Sequence, residues 1–193
     1  MGTYNLLMAG VGGQGILRAT DVLAHVAMAQ GLDVKKTEIH GTAQRGGMVY
    51  SHVRFGQKVF SPIITPGNAD SLIACEALEA LRWAAYLRPG GKMILDPARV
   101  VPPMVTLGWF AYPGDVVGRL RERGIDAVVV DTRPITRELG DRRLANMVLL
   151  GVQSRFLGFS LEAWRREIRS YFPEAVREQN VMAFMMGRRY NIG

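Results

Sequence analysis

The first residues with a pattern suited to chemistry form a glycine-rich turn close to the start of the chain. Residues 10–15 read Gly-Val-Gly-Gly-Gln-Gly, after the apolar run 4–9 and before a segment with helical spacing. Glycines permit positive φ angles and close backbone approach, and a helix N-terminus offers free N–H groups to an anion. The turn predicts contacts to a phosphate-bearing ligand from Gly10, Gly12, Gly13, Gln14 and Gly15. The alternative is that these glycines only let a strand and a helix pack closely.

A second glycine-rich loop, residues 40–47, concentrates polar groups suited to the same kind of ligand. It reads His-Gly-Thr-Ala-Gln-Arg-Gly-Gly. Arg45 carries a fork of donors for a carboxylate or phosphate, and the two glycines after it can present backbone N–H groups. Loops at the ends of adjacent strands meet at the crevice where open α/β sheets bind ligands. We therefore predict that His40, Arg45, Gly46 and Gly47 join the first turn in one ligand site, the alternative being a turn whose arginine binds nearby carbonyls.

Glu38 and the histidines raise two further chemistries. An NAD site of this type needs an acid about 20 residues after the turn, and Glu38 lies 23 residues past Gly15, so NAD binding is an alternative. His40 and His52, even with Glu38, lack a compact metal-ligand spacing, so we expect no metal site. The single cysteine, Cys75, follows an apolar run and is expected to be a small buried hydrophobe.

Hydrophobic periodicity places these residues on alternating strands and helices. Apolar runs and strict alternation predict strands at 4–9, 33–39, 48–55, 71–74, 92–96 and 127–131. Helical spacing predicts helices at 16–30, 76–87, 115–123 and 146–156, one capped by Ser160, and a last one at 175–189. Gly56-Gln57 predicts a tight turn into a strand at 58–60, and hence a hairpin. The predicted fold is α/β: an open, mostly parallel Rossmann-like sheet with flanking helices, one hairpin and a helical C-terminal portion.

Length, composition and charge exclude several classes of protein. The chain has 193 residues, 48% of them hydrophobic, which fits one compact domain over 1–193. No apolar run approaches the roughly 20 residues that cross a bilayer, and no secretory pattern opens the chain, so we expect a cytoplasmic protein without a membrane partner. The net charge is +7, with 15 arginines against 10 acids in residues 97–193. Because these arginines alternate with acids and form no basic run, we expect no nucleic-acid partner.

Three blocks of the sequence resemble the gamma subunit, or domain III, of the 2-oxoacid:ferredoxin oxidoreductases. They are the glycine turn with the start of its helix at 10–17, the loop and strand at 38–56, and residues 69–82. The loop is the most specific block: its His-Gly-Thr-Ala-Gln ahead of Arg-Gly-Gly is similar to the indolepyruvate branch, whereas the pyruvate and 2-oxoglutarate enzymes tend to carry Pro-Glu there. Weaker agreement at 146–151 and 178–187 extends the resemblance over nearly the whole chain.

The resemblance implies a subunit of an enzyme that oxidatively decarboxylates an aryl 2-oxoacid. With coenzyme A, the products would be an acyl-CoA, carbon dioxide and reduced ferredoxin. Thiamine diphosphate and iron–sulfur clusters supply the ylid and the electron sink for such chemistry. Since this chain has one cysteine and no Gly-Asp-Gly thiamine motif, the resemblance implies a larger partner subunit that holds both cofactors.

Within that assembly, the resemblance implies an accessory role for this chain. It is expected to complete the active-site wall and to hold coenzyme A through the residues named in the two glycine-rich loops, with no catalytic residue of its own. The apolar C-terminal helices and the arginine excess are candidates for docking on the partner. Two alternatives stay open: a free-standing NAD-binding oxidoreductase, and a non-enzymatic nucleotide-binding module.

Overall fold

Strands and helices alternate in the first two thirds of the chain, and helices follow to its end. The structure, a computed structural model, describes residues 2–40, 47–101, 103–109 and 111–192, except for the side chains of residues 40, 103 and 104. The strands are β1 (Tyr4–Val11), β2 (Asp33–His40), β3 (Met48–Gly56), β4 (Ala69–Ala74), β5 (Leu87–Leu95) and β6 (Ala127–Val129). The helices are α1 (Ile16–Ala29), α2 (Ala77–Trp83), α3 (Pro103–Thr106), α4 (Val116–Glu122), α5 (Arg133–Glu138), α6 (Ala145–Gln153), α7 (Leu161–Tyr171) and α8 (Glu174–Arg188).

The described strands form one sheet in the order β2-β3-β1-β4-β5-β6. β1, β4, β5 and β6 pair in parallel, whereas β3 is antiparallel to both of its neighbours, β1 and β2. The predicted open, mostly parallel α/β sheet is therefore confirmed. The carboxyl ends of β1, β4 and β5 lie at one edge, which is the edge where open α/β sheets bind ligands.

The turn predicted at Gly56-Gln57 does not lead into a strand, so that hairpin prediction is wrong. Residues 58–60 pair with no strand; instead the amide of Val59 donates to Asp33 Oδ2 at 2.9 Å. The Asp33 carboxylate thus accepts the hydrogen bond that a neighbouring strand would otherwise accept from the amide of Val59. The hairpin in this sheet is β2–β3, which pair antiparallel along their whole length.

β5 begins earlier than the sequence pattern predicts. The helix predicted at 76–87 ends at Trp83, a 3-10 turn follows at Ala84–Tyr86, and β5 starts at Leu87. The pairing register between β4 and β5 shifts there, so that residues 88–91 bulge out of the ladder. The sequence Pro89-Gly90-Gly91 thus lies in an irregularity inside β5 and does not separate a helix from a strand.

Helices cover both faces of the sheet, and each face has its own hydrophobic core. Leu6 and Met8 of β1 pack on the side that holds α1, α6, α7 and α8, whereas Leu7 and Ala9 pack on the side that holds α2 and α4. This division follows from the alternation of side chains along a strand. The glycine turn therefore leads from the sheet into the layer that also contains the C-terminal helices.

The C-terminal helices confirm the predicted helical portion. Ser160 caps α7 as predicted, because its side chain accepts a hydrogen bond from an amide of the first turn at 3.2 Å. α6 and α8 cross closely at two glycines: a Cβ on Gly151 would lie 2.1 Å from Phe184 O, and one on Gly187 would lie 2.0 Å from Val148 O. No helix among the described residues is long and apolar enough to cross a bilayer.

Candidate functional site

The glycine turn after β1 depends on glycine for two different reasons. Gly13 (φ 98°) and Gly15 (φ 72°) have left-handed backbone angles that disfavour any side chain. Gly10 has an ordinary φ but no space, since a Cβ there would lie 2.5 Å from Gln14 Oε1 and 2.9 Å from the Cβ of Cys75. A Cβ on Gly13 would meet nothing within 4 Å, so this residue faces open space where a ligand could approach the backbone.

Gln14 closes the gap between β1 and β4 at the carboxyl edge of the sheet. Its Oε1 accepts from the amide of Val11 at 2.7 Å, and its Nε2 donates to the carbonyl of Cys75 at 2.7 Å. The amide side chain therefore ties the end of β1 to the end of β4. This contact gives Gln14 a structural part in the site, behind the glycines that face the open side.

The two glycine-rich loops meet at Gly12 and Gly47. The amide of Gly12 donates to the carbonyl of Gly47 at 2.8 Å, and Val11 pairs with Met48 at the start of β3. The expected convergence is therefore seen for the described end of the second loop. Arg45 and Gly46, with the rest of 41–46, lie outside the described residues, as does the side chain of His40.

A cavity of about 650 Å³ opens beside the glycine turn, between the first turn of α1 and the start of α8. Its described lining includes two cationic side chains, Arg18 from α1 and Arg143 from the 3-10 turn before α6, and one carboxylate, that of Asp141. Arg143 is ion-paired with Asp141 at 2.8 Å, and this guanidinium holds the pKa of the Asp141 carboxyl below its ordinary value. Arg18 is exposed and has no hydrogen bond or ion pair with another described side chain. With the partial positive charge of the α1 N-terminus, the cavity is suited to an anion.

Asn146 connects the glycine turn to the C-terminal helices. Its Nδ2 donates to the carbonyl of Gly15 at 2.8 Å, and its Oδ1 accepts from the amide of Met147 at 2.7 Å. Asn146, Arg18 and Arg143 are not among the residues that the sequence predicts for the site. Asn146 starts the weaker matching block at 146–151, which was a usable signal, whereas nothing local distinguishes the two arginines from their neighbours.

The strand order separates Glu38 from the glycine turn. Glu38 lies on β2, where its carboxylate forms an ion pair with Lys36, and β3 lies between β2 and β1. The NAD arrangement needs the acidic residue at the end of the strand next to β1. Glu38 is therefore in the wrong place to hold the ribose of a dinucleotide bound at this turn.

Glu38 and His52 also lie on opposite faces of the sheet and do not share a site. In the β2–β3 ladder Glu38 pairs with Ser51, and the next pair is Thr37 with His52. The His52 ring is buried, and its Nδ1 accepts from the amide of Ile64 at 2.9 Å. Within the described ranges, no group of three or more metal-ligating side chains comes together.

The comparison with known proteins identifies the family. Residues 5–190 match the family described as pyruvate ferredoxin/flavodoxin oxidoreductase. The chain belongs to this family. It is 36% identical over 187 residues to a protein of Archaeoglobus fulgidus named indolepyruvate oxidoreductase subunit IorB, with 95% of this chain and 92% of that protein covered. The resemblance to subunits of 2-oxoacid:ferredoxin oxidoreductases is therefore confirmed.

Solved structures of this oxidoreductase family share the fold. The keto/oxoacid ferredoxin oxidoreductase gamma subunit of Geobacter sulfurreducens superposes with a TM-score of 0.71 at 25% identity, covering 96% of each chain. A 2-oxoglutarate:ferredoxin oxidoreductase of Magnetococcus marinus, solved with 2-oxoglutarate, coenzyme A and succinyl-CoA, superposes with a TM-score of 0.74 at 21% identity over 98% of this chain. The match covers 31% of that longer chain. This chain is thus a small subunit of the 2-oxoacid:ferredoxin oxidoreductase family.

Proposed function

We propose that this chain is the small subunit of an indolepyruvate-type ferredoxin oxidoreductase. Its similarity to an IorB subunit over nearly the full length of both proteins carries the proposal. The assembled enzyme converts an aryl 2-oxoacid and coenzyme A to an acyl-CoA and carbon dioxide, and passes the electron pair to ferredoxin. In this proposal the chain acts as one domain over 1–193 in the cytoplasm.

The proposal assigns the redox chemistry to a larger partner subunit. A ylid and an electron sink are needed, which thiamine diphosphate and iron–sulfur clusters supply, and a cluster of the common type needs four thiolates. This chain has one cysteine, Cys75, which is 3% exposed, and burial raises the pKa of its thiol far above the ordinary value. A buried thiol that stays protonated does not ligate iron, which supports a partner that carries the clusters.

Coenzyme A is the ligand we assign to the glycine-rich loops. The contact between Gly12 and Gly47 brings the loops together, and the N-terminus of α1 with Arg18 supplies positive charge beside them. The proposed contacts are Gly10, Gly12, Gly13, Gln14, Gly15, His40, Arg45, Gly46 and Gly47. Among these, Gly13 faces open space, whereas Gln14 would contribute through its backbone, because both polar ends of its side chain bond to the protein. The glycines would approach the phosphates, and Arg45 would pair with one of them.

Reconstitution with a larger thiamine-dependent subunit tests the proposed function. We expect CoA-dependent reduction of ferredoxin by indolepyruvate when both chains are present, and no turnover by this chain alone. Spectra of the two purified chains should place the iron–sulfur absorbance in the larger one. Turnover of a 2-oxoacid by the isolated small chain, or a stoichiometric redox group bound to it, would contradict the proposal.

Arg45→Ala in the reconstituted enzyme tests the CoA assignment. Loss of a charge-assisted hydrogen bond costs about 1.5–3 kcal/mol, so we expect the KM for CoA to rise by roughly tenfold or more. The KM for the 2-oxoacid should change little. Arg119→Ala is the matched control, because Arg119 is exposed on α4, on the other side of the sheet. An unchanged KM for CoA in Arg45→Ala would remove this residue from the site.

A further inference from the structure

A second concave surface lies at the ends of α6 and α8, away from the glycine turn. This surface, the basic basin, has a volume of about 710 Å³ and is lined by Arg155, Arg188, Arg189, Tyr190 and Asn191. α6 spans the sheet, because its first turn contacts Gly15 through Asn146 while Gln153, its last residue, donates to the hydroxyl of Tyr4 at the start of β1. The basic basin, which includes Arg155 just after Gln153, therefore lies at the opposite end of α6 from the proposed CoA site.

Hydrogen bonds to the protein orient two guanidinium groups of the basic basin. Arg155 Nη1 donates to the carbonyl of Tyr190 at 2.8 Å, and Arg188 Nη1 donates to Ser154 Oγ at 2.7 Å. Each bond uses one of the five N–H donors of its guanidinium. The remaining donors are held in position at the basin, which lowers the entropy lost when an anion binds.

The basic basin differs from three other arginine sites in having no carboxylate among its described lining residues. Arg133, Arg143 and Arg169 are ion-paired with Asp131, Asp141 and Glu178 at 2.7–2.8 Å. No Asp or Glu lines the basin among the residues that the structure describes. The helix dipole favours positive side chains at the ends of α6 and α8, and the described lining of the basin combines three guanidinium groups with no carboxylate.

We propose that the basic basin docks an acidic segment of the companion subunit, an inference that rests on the proposed function. Guanidinium forks bind carboxylates in a bidentate geometry, so an acidic segment would supply the carboxylates that are absent from the described lining of the basin. Arg155 and Arg189 are exposed, and Arg189 makes no side-chain hydrogen bond with another described residue. This exposed surface is therefore accessible to acidic side chains of another polypeptide.

Charge reversal at Arg189 tests the docking proposal. Arg119→Glu is the matched control, since Arg119 and Arg189 are both exposed arginines at the end of a helix. The affinity of each full-length variant for the larger subunit is measured by analytical ultracentrifugation at several salt concentrations. We expect Arg189→Glu to raise the dissociation constant roughly tenfold at low salt, with a smaller difference at high salt, and Arg119→Glu to leave it unchanged.

The outcomes separate this inference from the proposed function. Failure of the unmodified chain to bind the larger subunit would overturn the proposed function. Normal binding by that chain together with equal affinity and equal salt dependence for Arg189→Glu would overturn the docking inference alone. Duplex DNA binding that Arg189→Glu abolishes, with subunit affinity intact, would assign the basin to nucleic acid instead. Circular dichroism melting confirms that each variant is folded.

Discussion

Gly13 and Gly15 both have left-handed backbone angles, but an added methyl group would meet different surroundings at the two positions. In Gly13→Ala the methyl group enters open space, so only the backbone strain remains, about 1–2 kcal/mol. In Gly15→Ala the new Cβ would lie 2.4 Å from Asn146 Nδ2 and disturb its hydrogen bond to the turn. We expect Gly15→Ala to lose about 3 kcal/mol of unfolding free energy, measured by urea denaturation.

Gly114→Ala is the control for both substitutions. Gly114 has open space around it and a φ outside the left-handed range, so its replacement should change the unfolding free energy by less than about 0.5 kcal/mol. Equal losses in Gly13→Ala and Gly15→Ala would show that Asn146 does not restrain the turn. The sequence pattern predicts that the turn needs glycines. It does not predict that Gly15, and not Gly13, contacts the side chain of Asn146.

His52 should make the stability of the fold depend on pH. Burial, with a smaller effect of Arg54, lowers the pKa of His52 below its ordinary value of 6.5. Protonation of Nδ1 would also break the hydrogen bond from the amide of Ile64. At a pH between this lowered pKa and 6.5, His52 is protonated in the unfolded chain but neutral in the folded one. The free energy of unfolding therefore falls as the pH drops, by up to about 1.4 kcal/mol per pH unit.

His52→Asn separates this effect from those of other titrating groups. The asparagine Oδ1 can take the place of Nδ1 as the acceptor for Ile64 but does not titrate. We expect the unfolding free energy of the unmodified chain to fall more steeply than that of His52→Asn between pH 7 and the lowered pKa. Parallel curves from urea denaturation across this range would contradict the assignment.

At the scale of elements, the crossing of α6 and α8 depends on the absence of side chains at two positions. A Cβ on Gly187 would lie 2.0 Å from the carbonyl oxygen of Val148, and backbone atoms cannot rotate away as a side chain can. Gly187→Ala must therefore separate the helices and loosen the core around Trp164 and Phe184, which are both fully buried. We expect a loss of about 3 kcal/mol or more in unfolding free energy, or a failure to fold.

Gly158→Ala is the control for this helix crossing. Gly158 has open space around it, so its replacement should leave the melting temperature nearly unchanged. If Gly187→Ala melts at the same temperature as Gly158→Ala, the close contact of α6 and α8 is wrong. Circular dichroism of both variants also reports whether Gly187→Ala retains its helices.

Sequence patterns predict elements better than they predict the partners of those elements. The helical spacing of 146–156 and 175–189 predicts α6 and α8, but contains no information that the two cross at Gly151 and Gly187. The turn signal at Gly56-Gln57 is local, whereas its outcome depends on Asp33, which is distant in the sequence and takes the amide of Val59. Strand pairing is fixed by such tertiary contacts, which explains why the hairpin prediction is wrong.

At the scale of the whole molecule, the fold class follows from the sequence but the strand order does not. The alternation of strands and helices up to residue 131 is typical of a parallel α/β sheet, and the sheet confirms it. The insertion of β3 between β1 and β2 has no sequence signal, because consecutive strands can be neighbours in either direction. It is also the feature that separates this chain from an NAD-binding oxidoreductase with the same glycine turn.

An NADH titration tests directly whether this chain differs from NAD-binding oxidoreductases in its ligand. Because β3 lies between β1 and β2, Glu38 is one strand away from the expected position of the ribose hydroxyls of a dinucleotide. Its carboxylate is also ion-paired with Lys36. We expect no saturable change in NADH fluorescence up to about 1 mM, which corresponds to less than about 4 kcal/mol of binding free energy. A dehydrogenase titrated in parallel is the positive control. Saturable micromolar binding that Gly13→Arg abolishes would restore the NAD alternative, because it would show that the turn holds a dinucleotide without the acidic residue.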